Sequence, residues 1–155
     1  MHLQYEDLSF IELARHISDA VVLTDREGCI VWTNHAFHQL CGYSHKEIKG
    51  SKPGHLLQGK STDPSTAEAL RDAVRSGRYI RTEILNYHKK GHPYWVSIAL
   101  TPIKNAAGDV EGFVAIEREV THCHLHMQNL EQQVTQVYSA LLRSEGSATG
   151  LEREN

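Results

Sequence analysis

Two side-chain amides and one carboxylate stand where a polar group would have little water to meet. Asn86 shares strand parity with Thr82 and Ile84, so those side chains leave the strand on one side and Leu85 and Tyr87 on the other. Gln58 follows the apolar pair Leu56-Leu57. A carboxamide both donates and accepts, so two of them suit a ligand edge that carries both kinds of group. Glu117 shares parity with Phe113 and Ala115 on a largely apolar strand, which turns its carboxylate inward. Burial would raise its pKa. A carboxyl kept protonated in this way can donate a hydrogen bond or release a proton. The plainer readings are surface or turn amides, and a strand-end carboxylate near water beside Arg118 and Glu119.

Other reactive side chains form weaker patterns. Eleven histidines are many for 155 residues, and His122, His124 and His126 invite a metal reading. Helical residues two apart point about 200° apart, so only 122 and 126 could share a site. Two such ligands with no matched carboxylate make a solvated helix face the better expectation, and no metal is expected. Cys29, Cys41 and Cys123 are an odd number at wide spacings, which suits a reducing cytosol rather than a disulfide framework or a zinc site. No Ser-His-Asp order, glycine-rich phosphate loop, paired catalytic carboxylates or HExxH occurs, so no enzyme is expected. With 16 basic against 19 acidic side chains the net charge is −3, and nucleic acid is a poor partner. Met1-His2-Leu3-Gln4 opens without the basic and apolar regions of a signal peptide. No apolar run approaches the roughly 20 residues that span a bilayer, so the expected location is cytoplasmic.

The elements that must position these groups follow from periodicity. Ser9-Phe10-Ile11-Glu12 reads as a capping box for a helix that ends near Ser18. Val21–Thr24 and Ile30–Thr33 are β-branched and aromatic runs joined by Asp25-Arg26-Glu27-Gly28, a hairpin. Asn34 sits at an N-cap ahead of a short helix carrying Phe37 and Leu40, and Ser44-His45-Lys46-Glu47 is a second capping box. Asp63-Pro64 opens a longer helix that Gly77 closes. Strands over about 79–89, 93–104 and 110–120 follow. The expected class is α+β, a five-stranded antiparallel sheet with short helices on one face. The expected organisation is a flanking helix over 1–18, a sensor-sized domain over 19–121, an amphipathic helix over 122–145 and a disordered tail over 146–155. In that last helix Cys123, Met127, Leu130, Val134, Val137 and Leu141 recur in heptad steps, a seam that wants a partner.

Taken in order, several of these segments resemble the PAS superfamily, and within it the flavin-binding LOV branch. The matching text is Ile30–Phe37, Cys41-Gly42-Tyr43-Ser44, Glu47-Ile48-Lys49-Gly50, Leu56-Leu57-Gln58-Gly59 with Thr62-Asp63, Leu70-Arg71-Asp72-Ala73, Asn86–Gly91, Tyr94-Trp95 and Pro102-Ile103. The resemblance spans roughly residues 17–121 and implies a PAS fold with flanking helices. It also implies a non-covalent flavin, FAD in preference to FMN. The positions it brings to the cofactor are Asn34, Gly54, His55, Leu57, Gln58, Leu70, Arg71, Ile84, Asn86, Val96, Ile98, Phe113, Ala115 and Glu117.

Gln58 and Asn86 match family contacts to the ring's polar edge, and Arg71 matches an arginine used on the flavin phosphate. Four positions depart from the LOV pattern. Gly54 stands where LOV photoreceptors carry the reactive cysteine, so no thiol can attack the flavin from there. Val96 replaces a second asparagine, His55 a second phosphate arginine, and Glu117 the glutamine that faces N5 and O4. The Pro53-Gly54 version and Tyr94-Trp95-Val96 are similar to the redox- and oxygen-responsive flavin PAS domains of bacterial aerotaxis receptors and nitrogen-fixation regulators. Trp95 should face away from the flavin, under a flanking helix.

The implied function is sensing of redox state, oxygen or blue light without a cysteinyl adduct, signalled through the C-terminal helix of a homodimer. The dimer is expected to use the N-terminal helix, the outer sheet face and the heptad seam. The rivals are a haem-binding gas sensor with His55 or His88 as axial ligand, and a cofactor-free PAS dimerisation module. No kinase, cyclase or DNA-binding pattern follows the helix. That leaves either a fragment of a longer receptor or a short sensor acting through a downstream signalling partner.

Overall fold

The computed structural model describes the backbone of residues 5–151 and the side chains of residues 10–147. It divides into two units, residues 1–120 and 121–155. In the first unit, α1 (Tyr5–His16) precedes the hairpin of β1 (Ala20–Asp25) and β2 (Ile30–Thr33). Three short helices follow, α2 (His35–Cys41), α3 (His45–Ile48) and α4 (Pro53–Leu57), then the longer α5 (Pro64–Ser76). The strands β3 (Ile80–Tyr87), β4 (Pro93–Lys104) and β5 (Val110–Glu119) complete it. The second unit is the helix α6 (Thr121–Leu151).

The five strands form one antiparallel sheet in the order β2-β1-β5-β4-β3. The last strand therefore lies in the middle, between the first hairpin and the β3–β4 pair. Side chains alternate across β4, with Tyr94, Val96, Ile98 and Leu100 buried and Trp95, Ser97 and Ala99 half-buried between them. The buried set joins Val22, Ile84, Phe113 and Ala115 on the inner face, which packs with Phe37, Ile48, Leu57 and Ala73 of the helices. Trp95 pairs with Leu85 on the face turned away, as expected.

Local chemistry fixes the connections. The Asp25 carboxylate accepts from the backbone N–H groups of Glu27 (3.0 Å) and Cys29 (2.9 Å), and Gly28 takes the left-handed φ of +86° that closes the hairpin. Asp63 caps α5, accepting from Thr66 N at 3.1 Å, with Pro64 in the first turn and Gly77 left-handed at its end. Glu47 accepts from Ser44 N at 2.8 Å in the capping-box sense.

Two boundaries differ from expectation. Ser9 lies inside α1 rather than at its N-cap, because the helix is already formed at Tyr5. The Ser-x-x-Glu spacing is also a one-turn spacing within a helix, so the pattern alone does not mark a start. Of the expected disordered tail over 146–155, residues 146–151 continue α6, and residues 152–155 lie outside the described residues.

Candidate functional site

Between the inner face of the sheet and α4 and α5 lies a cavity of ≈ 290 Å³. That is near the lower end of the roughly 300–1,000 Å³ typical of small-molecule sites. Every sheet strand except β2 contributes to its wall. Val22 comes from β1, Ile84 from β3, Ile98 and Leu100 from β4, and Ala115 from β5. Leu57 closes one side from α4, and Ala67, Leu70 and Val74 close another from α5. The walls are aliphatic and can sandwich a flat ring.

Besides Thr24 and the charged side chains at its border, three polar side chains interrupt this lining. Asn86 is 4 % exposed and lies opposite Tyr94 in the β3–β4 register. Gln58, at the end of α4, lies over Gly54: a Cβ built on Gly54 would stand 3.0 Å from Gln58 Nε2 and 3.4 Å from its Oε1. The glycine leaves the amide its place, and a larger side chain would compete with it. Glu117 is 3 % exposed, between Ala20 of β1 and Ile98 of β4. Its Oε2 has no hydrogen-bond partner, and burial raises its pKa from 4.5 to about 7. The buried hydroxyl of Tyr94 is likewise without a partner of good geometry. Burial first, and Glu117 next, drive the Tyr94 pKa well above the ordinary tyrosine value. A buried polar group left unpaired costs about 1–3 kcal/mol. The orphaned Glu117 oxygen in this lining is therefore a place where a ligand with a donor or acceptor edge would be stabilised.

Charged side chains also border the cavity: Lys52, Arg71, Arg75 and Glu27, with the His55 imidazole beside them. Arg71 pairs with Glu68 at 2.7 Å, and Arg75 pairs with the same carboxylate at 2.5 Å and also with Asp72. Those two hydrogen bonds, Arg71's before Arg75's, hold the Glu68 carboxyl below its ordinary value. Lys52 makes no ion pair among the described residues.

Of the fourteen expected positions, Gly54, His55, Leu57, Gln58, Leu70 and Arg71 line the cavity from the helical side. Ile84, Asn86, Ile98, Ala115 and Glu117 line it from the sheet. Three do not. Asn34 is consumed by structure: its Oδ1 accepts from Val21 N (2.9 Å) and Phe37 N (3.1 Å), and its Nδ2 donates to Ala14 O and Asp19 O (both 3.0 Å). Val96 and Phe113 point inward but belong to the packed core and are not part of the lining. Strand parity gives the direction of a side chain and not whether it ends at a void or in packed core. His88, one of the two histidines named for haem, is not part of the lining. It stacks on His92 with ring centroids 4.4 Å apart, and lies where a Cβ on Gly42 would fall. Sequence reasoning passed over Lys52, Arg75, Val74 and the turn residues Glu27 and Gly28. Their signal is distributed: the hairpin turn and the two helices meet only in the fold.

A family model described as PAS domain matches residues 18–122, about two thirds of the chain. The chain belongs to the PAS domain family. This PAS domain is 37 % identical over 92 residues to a blue-light-activated histidine kinase of Brucella anthropi, covering 59 % of the chain and 18 % of that protein. It is 31 % identical over 127 residues to blue-light-activated histidine kinase 1 of Erythrobacter litoralis, covering 80 % of the chain and 35 % of the relative. Among solved structures it is similar to an RNA-binding Light-Oxygen-Voltage receptor, with TM-score 0.76 and 30 % identity over 85 % of the chain and 38 % of that receptor. The resemblance to the LOV branch is thereby borne out. The PAS domain spans between a sixth and about a third of the length of these two kinases. Among the described residues no helix is long and apolar enough to cross a membrane.

Proposed function

We propose that this PAS domain is a sensory module that holds a flavin non-covalently and responds to its reduction, by redox chemistry, by oxygen or by blue light, without a cysteinyl adduct. The observation that carries the proposal is the pairing of Gly54 with a buried, partnerless Glu117 in an aliphatic cavity edged by Gln58 and Asn86. Gln58 and Asn86 would hold the polar edge of the ring system, each able to donate and to accept. Val22, Ile98, Leu100 and Leu57 would cover its faces and keep water out. A flavin in this place would supply blue-light absorption and one- and two-electron redox chemistry. Gly54 offers no thiol, so that photochemistry has no covalent outlet at this position.

Glu117 supplies the protein's response. With a pKa raised by burial, its carboxyl can exchange a proton at neutral pH, and a change in its charge or hydrogen bonding acts directly on β5. That strand ends at Glu119, two residues before α6 begins at Thr121, so the path to the output helix is covalent and short. Lys52 is the better partner for a phosphate at the cavity border, because Arg71 already serves Glu68. FAD is preferred to FMN because its pyrophosphate and adenine would find contacts beyond this one unpaired cation. We take the physiological form to be a cytoplasmic homodimer that passes its signal to an output domain or partner protein.

The test is reconstitution of the purified chain with FAD and with FMN, followed by illumination and by anaerobic reduction. The expected result is an oxidised-flavin spectrum, tighter retention of FAD, and no thermally reverting adduct in blue light. Gly54→Cys should gain such an adduct if Gln58 yields the space. A protein that stays colourless with both flavins, or that takes up haem instead, would sink the proposal.

A further inference from the structure

Glu117 borders two openings. Glu117 also lines a second cleft of ≈ 240 Å³, formed with Asp19, Ala20, Ala36, Gln39, Arg118 and Glu119 among others. It is the only residue common to the linings of the cavity and the cleft among the described residues. The two openings differ in chemistry. The cavity is walled by aliphatic side chains, whereas the cleft is rimmed by two carboxylates, an amide and a guanidinium. Ala20 lies directly beside Glu117 in the β1–β5 register, and Ala36 comes from α2. Only a methyl group stands at each of these two places. The volume holds several waters at roughly 30 Å³ each.

We infer that Glu117 is the proton-transfer residue of the cavity and is recharged from solvent through the cleft of Asp19, Gln39 and Glu119. The inference rests on the flavin reading above. With a flavin bound and one electron added by an external one-electron reductant, Glu117 would break its O–H bond and pass the proton to the reduced ring. The carboxylate left behind takes a proton from hydronium in the cleft, so each turn consumes one electron and one solvent proton. Oxidation runs the transfer backwards.

The groups facing Glu117 favour this route. A buried carboxylate is costly, so the ionised form draws a proton back. Tyr94 on β4 and Cys41 on α2 are the nearby titratable groups on the inner side. Burial is the first cause that raises both their pKa values, and Glu117 adds to it, so neither supplies the proton at neutral pH. Asn86 on β3 and Gln58 after α4 are amides and do not titrate. On the outer side Asp19 pairs with Arg118 at 2.8 Å, which leaves the cleft polar but not strongly charged. A pKa of about 7 lets Glu117 act in both directions at neutral pH. A ligand seated in the cavity would itself close the other way out.

The experiment plugs the cleft without touching the cavity. Ala36→Leu fills it from α2, and Gln39→Trp covers it from an exposed position, where folding is not at risk. In the flavin-loaded chain, rapid reduction with an indicator dye should show proton uptake about tenfold slower in both variants, and roughly 10²-fold slower in Glu117→Gln. Flavin spectra and the final proton count of the plugged variants should match the wild type. A second readout needs no electron transfer. In the oxidised flavin-loaded chain, whose ligand closes the cavity side, the infrared C=O band of protonated Glu117, absent in Glu117→Gln, should exchange with D₂O about tenfold more slowly when the cleft is plugged. Uptake and exchange at wild-type rates in the plugged variants would overturn the route. A chain that binds no flavin would instead overturn the functional proposal, and this inference with it.

Discussion

Glu117 links stability to pH in a direction opposite to most carboxylates. The folded protein keeps its proton up to about pH 7, whereas an unfolded chain loses it near 4.5. Between those values the unfolded state binds fewer protons than the folded one, so unfolding free energy falls as pH rises through this window. Below it the contribution is fully present. The shift corresponds to roughly 3 kcal/mol in the cofactor-free protein. His88 works the other way, since burial and then His92 depress its pKa below 6.5. Chemical denaturation of wild type and Glu117→Gln across pH 4–8 isolates the Glu117 part: the wild type should lose stability relative to the variant as the pH rises. A constant difference would mean that Glu117 is not protonated in the folded state. The amides make a second residue-scale prediction. Gln58→Leu and Asn86→Leu keep the volume but lose the edge hydrogen bonds, at about 1 kcal/mol each, so flavin affinity should fall five- to tenfold per substitution in a fluorescence titration. Unchanged affinity in both would place the ring edge elsewhere.

At the scale of elements, Asn34 joins three pieces of the fold through four hydrogen bonds, to α1 and the segment after it, to β1 and to the first turn of α2. Asn34→Ala strands the buried N–H groups of Val21 and Phe37 and should cost about 2–4 kcal/mol in denaturant unfolding. Asn34→Asp keeps both acceptor bonds and loses the two donors, so its loss should be smaller. Equal losses would show that the acceptor side does not matter. Asn34 also shows what the sequence made legible. Its N-cap role followed from its position before a short apolar-patterned helix, while its place at the cofactor followed only from resemblance, and the fold gives it to structure. The strand period of two was enough to turn Asn86, Ile98, Ala115 and Glu117 toward the interior. The same period turned Val96 and Phe113 inward and could not distinguish packed core from cavity wall. Lys52 carries no local pattern, and the turn at Glu27-Gly28 reads in sequence only as a hairpin connection. They become part of a site only because a hairpin turn and two helices separated in sequence converge on one opening.

At the scale of the whole molecule, α6 carries an apolar stripe that a single copy leaves in water. Met127, Leu130, Val134, Val137 and Leu141 are all exposed, Val134 by 68 %. A lone helix with such a stripe is marginal, because its stability in proteins comes from burying an amphipathic face against a partner. The heptad steps place these side chains along one seam, the arrangement that a second copy of the same helix would cover with knobs in holes. Association would then place two copies of α6 side by side, each joined to its own β5, so that a movement at Glu117 in either copy could be read at the seam. Leu130 and Val137 occupy equivalent heptad positions. Replacing either with Lys puts a charge at the seam twice per dimer and should weaken association at least about 100-fold, read as a shift toward monomer mass in light scattering. Gln132→Lys, off the seam, adds the same charge and should leave the dimer intact. Loss of the dimer in Gln132→Lys as well would point to net charge, and a full dimer in all three would move the interface to the outer sheet face, where Val31 and Ile116 lie exposed.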